Sequence, residues 1–372
     1  MKSLPYYDDL TARQTIKLRE LIKTLPPFAK EFFRAIDSTT QVRTRIAYAY
    51  DLRVFFHFLI DENPAYRNYS VLDFKVSDLD KIESVDLEEY MEYLKVYISE
   101  EQHKHMQNTE QGVFRKMSAL RSFYGYFYKR QLIEKNPTLL VDMPKIREKE
   151  IIRLEADEVA SLLDFVEHGG DHLTGQKRAY YEKTKERDLA IITLLLGTGI
   201  RVSELVGLNI DDVDFRNNGL HLIRKGRKEM TVYFGNEVAD ALEQYIEGSR
   251  KLIIPKEGHE DALFYSMQRR RIGVQAVQNL VKKYAKEVTP LKKITPHKLR
   301  STYGTALYKD TGDIRLDQET DDIYLVAEVL GHSDVNTTRK HYAAMSDTRR
   351  RQAAGKVVLR ESVSHDSEDS NS

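Results

Sequence analysis

Residues 187–208 read RDLAIITLLLGTGIRVSELVGL, and the stretch from Leu189 to Leu196 is almost continuously apolar. That run is long for a strand. It reads instead as a buried helix that stops at Gly197 and Gly199, residues able to leave helical geometry at little cost. Shortly after it comes LHLIRKGRKEMTVYF (220–234), two short β-rich runs around a polar RKGRK turn, which is the pattern of a hairpin. Helical patterns then resume, so the second half of the chain reads as mixed α/β with helix dominant.

Upstream the pattern is helical. In STTQVRTRIAYAYDLRVFFHFLIDENP (38–64), Ser38 and Gln41 have capping-box spacing, and Ile46, Ala49, Leu52, Phe55, Phe56 and Leu59 recur every three or four residues until Asn63-Pro64 ends the run. Residues 84–98 (SVDLEEYMEYLKVYI) give a second amphipathic helix. Residues 112–131 give a third, with Met117, Leu120, Tyr124 and Phe127 along one stripe. Ahead of these, TARQTIKLRELIKTLPPFAKEFFRAID is helical and broken at Pro26-Pro27. The N-terminal region is therefore expected to be all helical. After Asn136-Pro137 the charged, aperiodic LLVDMPKIREKEIIRL reads as a linker between domains. There is no internal repeat, and only the Ser/Asp/Glu-rich tail reads as disordered.

With 372 residues, 41% hydrophobic and 31% charged, the chain is long enough for two globular domains. It contains no cysteine, which excludes disulfides, cysteine–zinc sites and a thiol nucleophile. No run of about 18 apolar residues is present, and the N-terminus lacks the basic start and apolar core of a signal peptide, so a cytoplasmic protein without membrane contact is expected. Lys and Arg number 58 against 58 Asp and Glu, but the tail at 361–372 holds four acidic residues and no basic one, leaving +4 over residues 1–360. Positive residues bunch in RKGRK (224–228), QRRR (268–271), VKKYAKE (281–287), LKKITPHKLR (291–300) and DTRRRQ (347–352). Any one cluster reads as a solvated surface; five in one half suit a face that meets phosphate.

The candidate chemistry is Arg201 in GTGIRVSEL, Lys225 in the hairpin turn, His297 and Arg300 in TPHKLRST, His332 in LGHSDVNTTRKHYAAM, and Tyr342 at the end of that stretch. Two guanidiniums, an ammonium, two imidazoles and a phenol, with no carboxylate pair, favour an anion. Arginine's planar fork suits phosphate oxygens, and Arg201 with Arg300 could clamp one phosphodiester as charge grows in the transition state. His297 and Arg300 are three apart, so on a helix they share a face. Singly, each has a plain reading: a capping arginine, a chance HxxR, a packed tyrosine. A metal site from His297, His332 and His341 lacks any HExxH-like spacing.

Taken in order, Arg in TGIRVSEL, Lys in a hairpin turn, HKLR, LGHSDVNTT and a following Tyr resemble the tyrosine recombinases, the phage-integrase and Xer family. The resemblance runs from about residue 38 to residue 352 and includes SALRSFYGYFYKRQLIEKNP, similar to the last helix of the family's N-terminal domain. LRELIKTLPPFAKEFFRAID and KERDLAIITLLL look most like the one-component XerS branch. The resemblance implies a mainly α fold with a small β component, a C-shaped DNA clamp. Its parts would be a helical extension (1–37), a SAM-like core-binding domain (38–140), a linker (141–153), a mixed α/β catalytic domain (154–356) and a disordered acidic tail (357–372).

It further implies site-specific recombination through a 3′-phosphotyrosyl intermediate by a homotetramer on two double-stranded DNA sites, without a cofactor. The biological role would be chromosome dimer resolution or integration of a mobile element. Carried over, Arg201 and Arg300 clamp the phosphate, and Lys225 protonates the leaving 5′ oxygen, with Lys228 in the same turn as fallback. His297 is a general acid/base, His332 a second phosphate contact, and Tyr342 the nucleophile. A phenol with pKa near 10 is only about one part in a thousand ionised at pH 7, a deficit of roughly 4 kcal/mol that cations and a base must supply.

This chain departs from the family pattern in three places. Ser301 stands where HxLRH would place histidine. Tyr342 lies ten residues after His332 rather than the commoner nine, and His341 takes the ninth place. The polar TGDIRLDQETDD, between HKLR and LGH, reads as a surface-loop insertion. Tyr303, Tyr308 and Tyr324 read as packing residues. Two rival readings are a non-cleaving DNA-binding protein of the same fold and a type IB topoisomerase.

Overall fold

The computed structural model describes residues 6–99, 104–146, 152–224, 228–311 and 330. The chain divides into two compact units, Met1–Lys149 and Glu150–Ser372. Among the described residues it is mainly α-helical, with one small antiparallel sheet in each unit. No helix among the described residues is long and apolar enough to cross a membrane.

In the first unit, α1 (Tyr6–Ile22) and α2 (Ala29–Ala35) flank Pro26-Pro27, as their sequence anticipates. The next helix, α3 (Val42–Glu62), starts at Gln41 and not at Ser38, and no side chain caps it. The Ser/Thr run is spent instead on the turn that leaves α2: the Thr40 N–H donates to Ile36 O at 2.9 Å. At its far end the Asn63 side chain accepts from Ala65 N–H at 3.0 Å and donates to Asp86 at 2.9 Å, fixing the Asn-Pro exit.

The expectation of an all-helical N-terminal region needs correction at residues 84–98. Helix α4 (Ser84–Tyr93) stops early, and β1 (Val96–Ser99) pairs antiparallel with β2 (Lys104–Gln107), Val96 opposite Gln107. Val-Tyr-Ile favours a pleated strand over a helix once a partner strand is at hand, and Tyr97 stacks on Tyr93 at 5.4 Å. Helix α5 (Glu110–Lys129) follows. Its Met117, Leu120, Phe123, Tyr124 and Phe127 meet Phe32, Phe55, Phe56 and Tyr90 in an aromatic core, to which Leu18, Leu21 and Leu25 of the first 37 residues also belong.

In the second unit the chain is pinned at once: Leu154 N–H donates to the Thr302 hydroxyl at 3.0 Å. Helix α6 (Ala156–His168) lies against α7 (Gly175–Thr198), whose Leu189–Leu196 run is buried all round, the central buried helix its sequence anticipates. Then come α8 (Val202–Gly207) and β3 (Val213–Asp214), β4 (Gly219–Arg224) and β5 (Lys228–Tyr233) in an antiparallel sheet of order β3-β4-β5. The expected hairpin is β4-β5, with Arg224 opposite Lys228. Helices α9 (Asn236–Tyr245), α10 (Val274–Val288) and α11 (Pro296–Thr311) complete the described unit.

A buried ion pair braces its middle. Asp188 accepts from Arg187 Nε at 3.0 Å and from the Tyr284 hydroxyl at 3.0 Å, while Arg187 Nη1 donates to Tyr265 O at 3.0 Å. This ties α7 to α10, so the helix that ends at the candidate site has a fixed direction.

Candidate active site

Arg201, His297 and Arg300 lie among the described residues; Lys225, His332, Tyr342 and the expected TGDIRLDQETDD loop beyond its first residue, Thr311, lie outside them. The site begins where α7 ends. Gly199 closes that helix in the left-handed region (φ 60°, ψ 21°), and its N–H donates to Leu195 O at 3.1 Å. A Cβ here would come within 2.3 Å of Tyr303 Cδ1 on α11. Both the backbone conformation and the close ring therefore require glycine. Tyr303 is thereby a packed ring, and burial pushes its phenol above the ordinary value.

Two residues further on, Arg201 sits at the N-cap of α8. Glu204 folds back over the helix start: its carboxylate accepts from Arg201 N–H at 2.8 Å and from Arg201 Nη1 at 2.9 Å. Glu204 is buried, with 5% of its side chain exposed, whereas 36% of the Arg201 side chain reaches solvent. The same carboxylate lies 4.0 Å from Nε of Arg224, the last residue of β4. Burial pushes the Arg224 guanidinium below its ordinary pKa; Glu204 opposes that shift and the nearby positive Arg201 adds to it. Glu204 thus draws together the helix start that carries Arg201 and the strand end that leads into Lys225.

Arg300 arrives from α11 and is only 5% exposed. Its Nη1 donates to Gly199 O and its Nη2 to Leu330 O, joining the turn before Arg201 to the residue that precedes Gly331-His332. His297, three residues earlier, is exposed. Both lie on α11 at the three-residue spacing expected from the sequence, with Arg300 buried and His297 exposed. Ser301, the departure from HxLRH, donates its hydroxyl to His297 O at 3.0 Å, within its own helix.

Among the described residues, then, three guanidiniums (Arg201, Arg224, Arg300) gather with the Glu204 carboxylate around the α7–α8 turn, and guanidinium donors of this kind suit an anion. Sequence reasoning missed Glu204 and Arg224. The first had a signal, a carboxylate three residues after an N-cap arginine; the second had none apart from its place next to Lys225.

Residues 152–349 match the Phage integrase family, a span that contains all six candidate positions. The chain is 36% identical over 361 residues to tyrosine recombinase XerC of Caldanaerobacter subterraneus, covering 93% of this chain and 91% of the relative. It is 31% identical over 304 residues to tyrosine recombinase XerD of Oceanobacillus iheyensis, covering 78% and 92%. In fold it is similar to the Tn1549 transposon integrase in complex with circular intermediate DNA, at TM-score 0.58 and 21% identity over 86% of this chain and 96% of that one. The chain belongs to the phage integrase family and is a tyrosine recombinase with Xer homologues along most of its length.

Proposed function

We propose that this recombinase is a cytoplasmic, one-component Xer enzyme of the XerS kind that closes as a clamp on duplex DNA and works as a homotetramer on two copies of its site. Its role is chromosome dimer resolution. The observation that carries the catalytic part is the gathering of Arg201, Arg224 and Arg300 at the α7–α8 turn, with Arg300 bonded to Gly199 O and Leu330 O.

In this reading a non-bridging oxygen pair of the scissile phosphate lies against Arg201 and Arg300, and His332 adds a further contact. Tyr342 Oη attacks phosphorus as His297 takes its proton. The P–O5′ bond breaks, and Lys225 protonates the leaving oxygen. One phosphodiester has been exchanged for a 3′-phosphotyrosyl ester of similar energy, so the reverse step can join a different 5′ hydroxyl without ATP. Strand exchange in two such steps passes through a four-way junction. The exposed Arg270 and Lys283, beside a cleft of about 700 Å³ against α10, add positive surface for the duplex.

A duplex nicked just beyond the cleavage point traps the covalent complex because the short 5′ fragment diffuses away. Digestion and mass spectrometry should place the adduct on the peptide containing Tyr342, and Tyr342→Phe should bind DNA but form no adduct. An adduct on another tyrosine, or one that persists in Tyr342→Phe, overturns the assignment.

A further inference from the structure

Outside the site just described, the first unit carries a buried carboxylate that holds a half-exposed arginine. Asp51 on α3 keeps 2% of its side chain exposed, while Arg115 on α5 keeps 50%. Arg115 Nη2 donates to Asp51 Oδ1 at 2.7 Å, and Nη1 donates to Oδ2. This end-on fork consumes one hydrogen on each terminal nitrogen. It leaves Nε–H and the neighbouring Nη hydrogen as a parallel pair of donors on the guanidinium edge.

The carboxylate is fixed from several sides. Lys116, with 8% of its side chain exposed, lies 4.0 Å from Asp51 Oδ1 and donates to Asn108 Oδ1 at 3.0 Å. Asn108, at the exit of the β1-β2 hairpin, donates to Leu94 O at 2.7 Å. Tyr90 donates its hydroxyl to Asp51 O at 3.5 Å. Asp51, held at its backbone by α4 and beside its carboxylate by Lys116 of α5, in turn holds the guanidinium.

A buried ion pair is a weak device for stability, because taking the charges out of water offsets most of their attraction. It is a good device for holding an arginine rigid, since the entropy of fixing a long side chain is then spent before any ligand arrives. The Asp51 carboxylate also offsets the charge of Arg115, which weakens its pull on a phosphate but leaves its two directed donors intact. Two parallel donors match two neutral acceptors, and guanine presents O6 and N7 side by side in the major groove.

We propose that Arg115, positioned by Asp51, reads a guanine in the recombination site. The inference rests on the recombinase reading and adds a specificity-determining residue to it.

Duplexes selected by the full-length chain from a randomised library supply the probe, and each base pair of the selected half-site is then varied. Arg115→Gln should lose roughly 10- to 100-fold of preference at one G·C pair and keep the other positions. Replacing that guanine with 7-deazaguanine should weaken binding by the wild type, a measurement that needs no variant to fold, and should leave folded Arg115→Gln unaffected. Asp51→Asn, where circular dichroism matches the wild type, should relax the same position.

Two results overturn the proposal: an unchanged preference in folded Arg115→Gln, or a loss equal across all sequences with the salt slope reduced by about 0.9, the sign of a phosphate contact. Failure of the wild type to select any sequence would sink the recombinase reading itself.

Discussion

Glu204→Gln separates what the buried carboxylate does for Arg201 from what its shape does. Glutamine keeps the size, and its amide oxygen can still accept one of the two Arg201 bonds now at 2.8 and 2.9 Å. The charge is lost in three places. At the start of α8 a carboxylate facing the free N–H groups contributes about 0.5–1 kcal/mol. The ion pair with Arg201 contributes no more than about 1 kcal/mol, because 36% of that side chain meets water. Arg224 is more costly: it is buried with its Nε 4.0 Å from the carboxylate, a separation at which unit charges attract by about 4 kcal/mol at an effective dielectric constant near 20. Relief of the carboxylate's own desolvation offsets roughly half of that. The loss comes to about 3 kcal/mol, or a melting temperature lower by roughly 6–12 °C for a unit of this size.

Because a negative charge has gone from beside the proposed phosphate site, DNA affinity should hold or rise. Cleavage should fall about 100-fold as Arg201 loses its orientation, the typical cost of one misplaced donor. Thermal denaturation, a gel shift and single-turnover cleavage of a nicked duplex measure the three effects. A variant that cleaves at the wild-type rate would refute the role given to Glu204, and so would weaker DNA binding in a variant that remains folded.

Gly199→Ala forces an L side chain into the left-handed region, at roughly 1–2 kcal/mol, and sets a methyl 2.3 Å from Tyr303 Cδ1. It should lower the melting temperature by about 5–10 °C and reduce cleavage more than DNA binding, since Gly199 O is a partner of Arg300; an unchanged melting temperature would contradict the packing described. Lys225→Ala should cleave poorly at an ordinary phosphodiester and recover on a substrate with a 5′-bridging sulfur, whose leaving group needs no acid. Rescue of Lys228→Ala instead would move the proton donor three residues along the hairpin turn.

How far the fold was legible in the sequence depended on whether a segment's partners lie close along the chain. The apolar Leu189–Leu196 run had only one way to be buried, and two β-rich runs separated by RKGRK could pair with each other, so α7 and the β4-β5 hairpin were readable directly. The β1-β2 hairpin was not. Its first strand continues a helical pattern, and only pairing with Lys104–Gln107 together with the Tyr93–Tyr97 stack overrides that local preference. The start of α3 failed for a related reason: Ser38 had the right spacing for a cap, but the turn after α2 uses that stretch before the helix begins.

The candidate site shows what spacing conveys and what it omits. Sequence reasoning treated Arg201 and Arg300 as equivalent phosphate clamps, yet their surroundings differ. Arg201 is a partly exposed side chain held by a carboxylate from its own helix start, a short-range relation visible in RVSEL. Arg300 is buried and bonds to two carbonyls that lie 101 and 30 residues away in sequence. No local pattern records those bonds. They mean that Arg300 assembles the site as well as charging it. Removing its guanidinium would strand two carbonyl groups, each at about 1–3 kcal/mol where water cannot replace the bond. A defect in Arg300→Ala is therefore a sum of lost assembly and lost charge, whereas a defect in Arg201→Ala should report mainly on charge at the proposed phosphate site. Comparing the two at equal folded fraction gives the assembly contribution by difference, because both guanidiniums belong to the same cluster and only one of them joins the α7–α8 turn to Leu330.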